Sequence, residues 1–264
     1  MTAYLLGEIC NEAGLPKGVL NIVHGLGSIA GQAIAEHPKI KVISFTGGTK
    51  TGAHIASITA PMFKKLSLEL GGKNPNIIFA DCDYQTMLDT TVQSSVSNQG
   101  QICLCGSRIF VEESIYDKFK KDFIIAVSKL KVGNPFDENT NIGALVSKSH
   151  LEKVISYVDN VSEYGGKIVC GGNRVKVHTL EEGYYLEPTI IEVNDNQCKL
   201  NQEEIFGPIV TIMSFKTESE VIEMANDVSY GLSATLWTQD LNKTMRISKK
   251  LQAGMIWVNT WLLR

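Results

Sequence analysis

Cys103 and Glu69 are the two side chains whose type and setting suit covalent chemistry at a carbonyl carbon. A thiolate is a soft nucleophile that adds to an aldehyde to give a thiohemiacetal, and loss of hydride from that adduct leaves a thioester. A carboxylate can then take a proton from the water that hydrolyses the thioester. A cysteine taken at random is more often a small buried apolar residue than a nucleophile. Cys103 is set apart by its approach, Asn98-Gln99-Gly100-Gln101-Ile102, and Glu69 by the glycine pair that follows Leu70. Cys105 reads as packing on the same strand face as Cys103, with a redox partner as the lesser alternative. For Glu69 the plain alternative is an exposed strand residue or an ion-pair partner of Lys64 or Lys65.

Glycine turns recur near these residues, at Gly25-Leu26-Gly27-Ser28-Ile29-Ala30-Gly31, at Thr46-Gly47-Gly48 and at Gly71-Gly72. Without Cβ atoms, main-chain N–H groups at a helix start can approach a pyrophosphate. The first turn alone is a weak signal. Glu204 and Phe206, in Glu203-Glu204-Ile205-Phe206-Gly207-Pro208, read without further context as a surface acidic pair and a core ring before a turn. Arg264 carries a guanidinium able to clamp a carboxylate with two hydrogen bonds, which would select an aldehyde that is also an acid.

The elements that must position these groups alternate between helical and β periodicity. A helix over residues 2–13 stops at Gly14 and Pro16, an apolar strand run covers 19–23, a helix covers 29–36 and a strand covers 42–45. In the strand over 66–70 the leucines alternate, so one face buries them and Glu69 points to the other. A strand over 76–80 precedes a helix with Leu88, Val92 and Val96 at four-residue spacing, broken at Asn98-Gln99-Gly100-Gln101. Cys103 is thus predicted at a helix-to-strand junction, ahead of a strand over 107–112. Further helices are predicted over 114–129, with a start resembling a capping box, and over 147–164, ended by Gly165-Gly166. A helix over 221–226 opened by Thr217-Glu218-Ser219-Glu220, strands over 234–237 and 255–258, and a helix over 243–251 complete an α/β chain with buried parallel strands.

Composition narrows the class of chemistry. The 264 residues are 44% apolar, and 25 basic against 28 acidic residues give a net charge of −3. That balance offers no footprint for nucleic acid or an anionic membrane. No apolar run approaches the roughly 18 residues of a membrane span. Six scattered cysteines, without a second close pair or a His cluster, argue against a metal site and for reduced thiols in the cytoplasm.

Four segments taken together, Phe45 to Gly52, Leu68 to Pro75, Asn98 to Cys103 and Glu203 to Pro208, resemble the aldehyde dehydrogenase superfamily in order and spacing. The resemblance runs through essentially the whole chain, including Asn21-Ile22-Val23 and Gly254-Met255-Ile256-Trp257-Val258-Asn259. It implies an aldehyde dehydrogenase-like α/β fold, with part of a Rossmann-type cofactor domain over 1–70 and an α/β catalytic domain over 71–264, incomplete at its C-terminus. It implies Cys103 as nucleophile and Glu69 as general base, NAD as cofactor, a small-molecule aldehyde as substrate and a homo-oligomer as the working form. Gly27 and Gly31 would line the adenosine side, and Thr46 and Gly47 would approach the nicotinamide or phosphates. Leu70 with Gly71 would pack near the nicotinamide, Glu204 would hold its ribose and Phe206 would pack against its ring. Asn259 and Arg264 would lie at the substrate. Gly48 stands where the family often has a serine that caps the helix and touches the pyrophosphate.

The resemblance also implies further segments on both sides of this stretch. Before Thr2 would come the first Rossmann half, an oxyanion-hole asparagine and an adenosine-ribose contact; beyond Arg264, the rest of the substrate pocket and an oligomerisation strand. The isolated chain is therefore expected to lack dehydrogenase activity. Substrates of betaine, hydroxymuconic or retinal type, and a truncated non-catalytic interaction protein, are the competing readings.

Overall fold

Strands buried on both faces need near-continuous apolar sequence, and Ile77-Ile78 and Ile109-Phe110-Val111 supply it, each of these residues being fully buried. In the computed structural model, residues 1–263 are described, and the chain divides into two units, Met1–Leu70 and Gly71 onward.

The first unit runs α1 (Thr2–Glu12), a π-helical turn over Gly27–Gly31 that continues into α2 (Gln32–Glu36), β1 (Val42–Thr46), α3 (Thr49–Thr59) and β2 (Lys65–Glu69). The two strands pair in parallel, with Val42 opposite Lys65 and Thr46 opposite Glu69. The expected strand over 19–23 is corrected: those residues join no ladder among the described residues, and Val19 and Val23 are exposed. Apolar content alone makes no strand without a neighbour to satisfy its N–H and C=O groups. The leucine face of β2 is also less buried than alternation suggests, Leu66 being exposed and Leu68 half-buried, because a two-stranded sheet offers little to pack against. Lys64 is buried and donates through Nζ to the carbonyls of Ala35 and His37, the latter at 2.8 Å. It thereby satisfies acceptors left over at the end of α2 and is engaged there, not with Glu69.

The second unit comprises β3 (Pro75–Ile78), α4 (Tyr84–Val96), β4 (Arg108–Glu112), α5 (Glu113–Ser128), α6 (Lys148–Asp159), β5 (Gly166–Cys170), β6 (Arg174–Val175), β7 (Tyr185–Leu186), β8 (Thr189–Val193), α7 (Lys199–Gln202), β9 (Ile209–Phe215), α8 (Glu218–Asn226), β10 (Ser233–Trp237), α9 (Leu241–Ser248) and β11 (Met255–Val258). Its seven-stranded sheet has the order β11-β10-β3-β4-β9-β8-β5, parallel throughout except for β5. Alternate residues of the central strands feed two cores. Ile78, Ile109 and Val111 pack with Met87, Phe119 and Phe123 of α4 and α5. Ile77 and Phe110 pack with Val221, Met224 and Ile247 of α8 and α9.

Helix boundaries follow local chemistry. Thr217 caps α8 by accepting from Glu220 N, and Glu220 Oε2 accepts from Lys216 N. The capping box expected at α5 does not form; Glu112 stands at that N-cap with no side-chain capping bond, and Ser114 donates to it instead. The helix expected over 147–164 ends at Asp159, and a turn continues to Gly165, whose φ of +76° suits glycine.

Arg108 opens β4 with a fully buried guanidinium that donates to Lys73 O (2.9 Å), Met224 O (3.0 Å) and Ala225 O (2.8 Å). It stitches the segment before β3 to the C-terminal turn of α8, where Met224 O also accepts from Asn196 Nδ2 (3.0 Å). Burial depresses its affinity for a proton to about 10, which leaves it cationic near neutrality. Arg108→Met should strand the buried carbonyls of Lys73 and Ala225 and cost about 3 kcal/mol, read as a lowered urea midpoint; an unchanged midpoint would contradict this account of the guanidinium.

Candidate active site

The segment that leads into Cys103 is conformationally unusual. After α4, Asn98 (φ 49°), Gln99 (φ 58°) and Gly100 (φ 69°) occupy the left-handed region in succession. Such backbone costs about 1 kcal/mol or more per non-glycine residue and persists only when its surroundings enforce it. Side chains do so here: Asn98 Nδ2 donates to Gln101 O (3.1 Å) and Gln99 Nε2 to Ala144 O (3.0 Å). Gln101 Oε1 accepts from Val146 N (3.0 Å). Gly100 is compulsory on a second count, because a Cβ there would overlap the Gly207 carbonyl.

Cys103 follows in a turn, half-buried, between α4 and β4. The junction is as expected, but the strand relation to Cys105 is corrected: residues 103–104 turn, and strand β4 begins only at Arg108. Cys105 is buried, and desolvation pushes its thiol up to about 12, so it stays protonated and serves as packing. Asn74 Nδ2 donates to both Cys103 O (2.8 Å) and Cys105 O (2.9 Å), and Trp261 Nε1 donates to the intervening Leu104 O (2.9 Å).

Glu204 is half-buried on the loop between α7 and β9, and its Oε1 accepts from Gly72 N (3.0 Å). Its carboxylate occupies the space that a side chain at Gly71 would need. The same loop is fixed from α6, where Lys153 Nζ donates to Glu204 O (3.1 Å) and Ile205 O (3.3 Å) and the His150 ring bonds Phe206 O (2.7 Å). Phe206 itself is left-handed (φ 62°) and meets the His150 ring edge-on.

In the first unit the candidates gather at the carboxyl ends of the two strands. Thr46 and Glu69 are paired neighbours, Gly47 N donates to Glu69 O (3.0 Å), and Glu69 is exposed. Leu70 packs where Gly52 of α3 has no Cβ. Gly27 and Gly31 begin and end the π-helical turn, and added Cβ atoms at these positions or at Gly48 would meet nothing within 4 Å.

Asn259 is left-handed (φ 53°), and its carboxamide is engaged at both ends by the main chain of Thr238, with Oδ1 accepting (3.1 Å) and Nδ2 donating (2.8 Å). Trp257 is buried in the sheet and donates to Leu263 O. Arg264 lies outside the described residues. Among the described residues, no group of His, Cys, Asp and Glu could hold a metal ion, and no helix is long and apolar enough to cross a membrane.

The aldehyde dehydrogenase family model matches residues 1–264. The chain belongs to the aldehyde dehydrogenase family. It is 48% identical over its full length to 2-aminomuconic semialdehyde dehydrogenase of Homo sapiens, covering 55% of that protein. It is 43% identical to 5-carboxymethyl-2-hydroxymuconate semialdehyde dehydrogenase of Escherichia coli, covering 56% of it. Among solved structures, betaine aldehyde dehydrogenase of Staphylococcus aureus in complex with NAD+ superposes with a TM-score of 0.96 at 40% identity, over all of this chain and 52% of that one. The chain thus spans about half the length of the relatives it matches.

Several residues that build the surroundings of Cys103 and Glu204 carry no catalytic signature in the sequence: Asn74, Trp261, His150, Lys153 and Lys73. Lys73 is 2% exposed, between Gly72 and Asn74, and lines a small cavity with Glu204, Phe206 and Ser107, whose hydroxyl is buried without a hydrogen-bond partner among the described residues. Its position inside the Gly-Gly-Lys-Asn-Pro run, beside an apolar strand, was the one available hint.

Burial, reinforced by the Arg108 charge, lowers the Lys73 ammonium from 10.5 to about 7, against a smaller opposite pull from Cys198, Glu204 and Glu203. A base whose folded value lies below its unfolded one opposes folding when charged. The penalty is full below the folded value of about 7 and fades as pH rises towards the unfolded value of 10.5. Lys73→Met should therefore raise stability relative to the wild type at acidic pH, and that advantage should shrink by up to about 1.4 kcal/mol per pH unit above neutrality. Unfolding midpoints of both proteins across pH test this; a pH-independent difference would refute it.

Proposed function

We propose that this chain carries the nucleophile, Cys103, and the general base, Glu69, of an NAD-dependent aldehyde dehydrogenase acting on a carboxylate-bearing semialdehyde. 2-Aminomuconic semialdehyde, or a close relative of it in tryptophan breakdown through the kynurenine route, is the favoured substrate. The observation that carries the reading is the Cys103 turn itself: a half-buried cysteine behind an enforced left-handed run, with its flanking carbonyls tied down. The names of the relatives at 43–48% identity favour semialdehydes that bear a carboxylate.

Each unit by itself holds residues suited to part of a dinucleotide: in the first, Gly27 and Gly31 leave open space beside main chain, and in the second, Gly72 N orients the Glu204 carboxylate, which fills the place of a Gly71 side chain. Gly27 and Gly31 would take the adenosine side, Thr46 and Gly47 the phosphates or nicotinamide, Leu70 and Gly71 the nicotinamide, Glu204 its ribose and Phe206 its ring. When bound, NAD supplies the acceptor for the hydride that leaves the tetrahedral adduct.

The chain's own residues supply the remaining steps. The Cys103 sulfur donates an electron pair to the aldehyde carbon, and the C=O π pair moves onto oxygen. Once hydride has left and the C=O bond has re-formed, the substrate is held as a thioester. Glu69 takes a proton from the attacking water, the C–S bond breaks, the thiolate returns, and the acid departs. Arg264 would pair with the substrate carboxylate through two parallel hydrogen bonds. The same reading has the protein working in the cytoplasm as a dimer or tetramer.

The 264-residue chain alone should form no NADH from NAD and an aldehyde. A chimera that sets it between the flanking segments of the human relative should do so, with Cys103→Ser inactive. In that chimera an acidic semialdehyde should exceed a neutral aldehyde in kcat/KM by about tenfold or more, and Arg264→Gln should remove most of the preference. Equal turnover of acidic and neutral aldehydes would discard the substrate assignment, and full activity of Cys103→Ser would discard the mechanism.

A further inference from the structure

The second unit holds a buried polar side chain, Asn74, whose amide nitrogen donates twice to the turn that carries Cys103. Asn74 is 3% exposed. Its Nδ2 donates to Cys103 O and Cys105 O at 2.8 and 2.9 Å, and its Oδ1 accepts from Ser233 N of β10 at 3.1 Å. Its main-chain carbonyl accepts from Arg108 N at the start of β4 (3.2 Å). Pro75 follows it, opens β3 and disfavours helical backbone at Asn74.

Gly72 leaves room for this arrangement. A Cβ at Gly72 would lie 2.6 Å from Cys103 O and 2.8 Å from Asn74 Oδ1, closer than packed atoms come. With Trp261 bonded to Leu104 O, all three carbonyls from Cys103 to Cys105 are directed onto donors.

We propose that Asn74 is a positioning residue for Cys103, whose carboxamide holds the turn in one conformation and neutralises the negative ends of two carbonyl dipoles of the turn that carries the thiol. The inference rests on Cys103 being the nucleophile. Loose carbonyl oxygens near a thiol disfavour its thiolate, and only the thiolate attacks. A carboxamide is suited to the task, because it donates two hydrogens to the turn and accepts one from the sheet without bringing charge. An aspartate of the same shape would turn an anion toward two carbonyl oxygens.

The test is the rate at which iodoacetamide alkylates Cys103 in the full chain as pH is varied, resolved by peptide mass spectrometry, with half-buried Cys10 of the first unit as internal reference. Asn74→Asp should move the midpoint of the Cys103 profile up by about one pH unit, a fall of about tenfold in rate near neutrality. Asn74→Ser, uncharged and able to donate to one carbonyl, should move it in the same direction by less and provides the variant that folds more readily. The Cys10 profile should stay where it is in both.

If either variant lowers the melting temperature while its Cys103 profile superimposes on that of the wild type, Asn74 is merely structural and the inference falls. Wild-type Cys103 reacting no faster than Cys10 would instead remove the nucleophile assignment, and the inference with it.

Discussion

The Arg108 guanidinium is the interaction on which the second unit turns. A cation buried without a carboxylate in contact is stable only if its donors find acceptors of their own, and Arg108 finds them in Lys73 O, Met224 O and Ala225 O. The first of these belongs to the Gly71-Gly72-Lys73-Asn74 segment, which touches Glu204 through Gly72 and the Cys103 turn through Asn74. The other two lie in the last turn of α8, which packs against the sheet. One side chain therefore ties this segment to α8, beside the main-chain bond from Arg108 N to Asn74 O. The same charge helps keep Lys73 from protonating, so the fold that secures the site also decides its electrostatics.

The central strands and the helices that cover them were legible because apolar periodicity and burial are the same fact seen twice. Ile77-Ile78 and Ile109-Phe110-Val111 could be nothing but interior, and α4 carried its spacing through Leu88, Val92 and Val96. The apolar run at 19–23 misled for the complementary reason. Hydrophobicity marks a segment that wants cover, whereas a strand needs a partner with free N–H and C=O groups, which no local reading supplies. The start of α5 shows the same limit at the scale of single bonds: Ser114 had the right type for a cap and found Glu112 instead.

Within the site, the reactive types were visible and their supports were not. Cys103 stood out through the Asn98 to Ile102 approach, which the structure reveals as a left-handed passage. Asn74, Trp261 and His150 act through hydrogen bonds to main chain distant in sequence, and such bonds leave no periodicity. Cys105 and Cys103 share a face only if the strand reaches back to them; instead Cys105 N donates to Ile102 O (3.0 Å) and closes a turn, whose carbonyls Asn74 and Trp261 then hold.

The left-handed run before Cys103 also couples parts of the second unit mechanically. Glycine would adopt that backbone with less strain than Asn98 or Gln99, but glycine could not reach out. Gln99 grips Ala144 O and Gln101 grips Val146 N, directly ahead of the Ser147 cap of α6. From the same helix, His150 and Lys153 hold the carbonyls of Glu204, Ile205 and Phe206. Hydrogen bonds at either end of α6 and the main chain between them thus join the segment before Cys103 to the Glu204–Phe206 loop. A load applied at either end would be transmitted to the other as displacement of a body, with little left for local flexing to absorb.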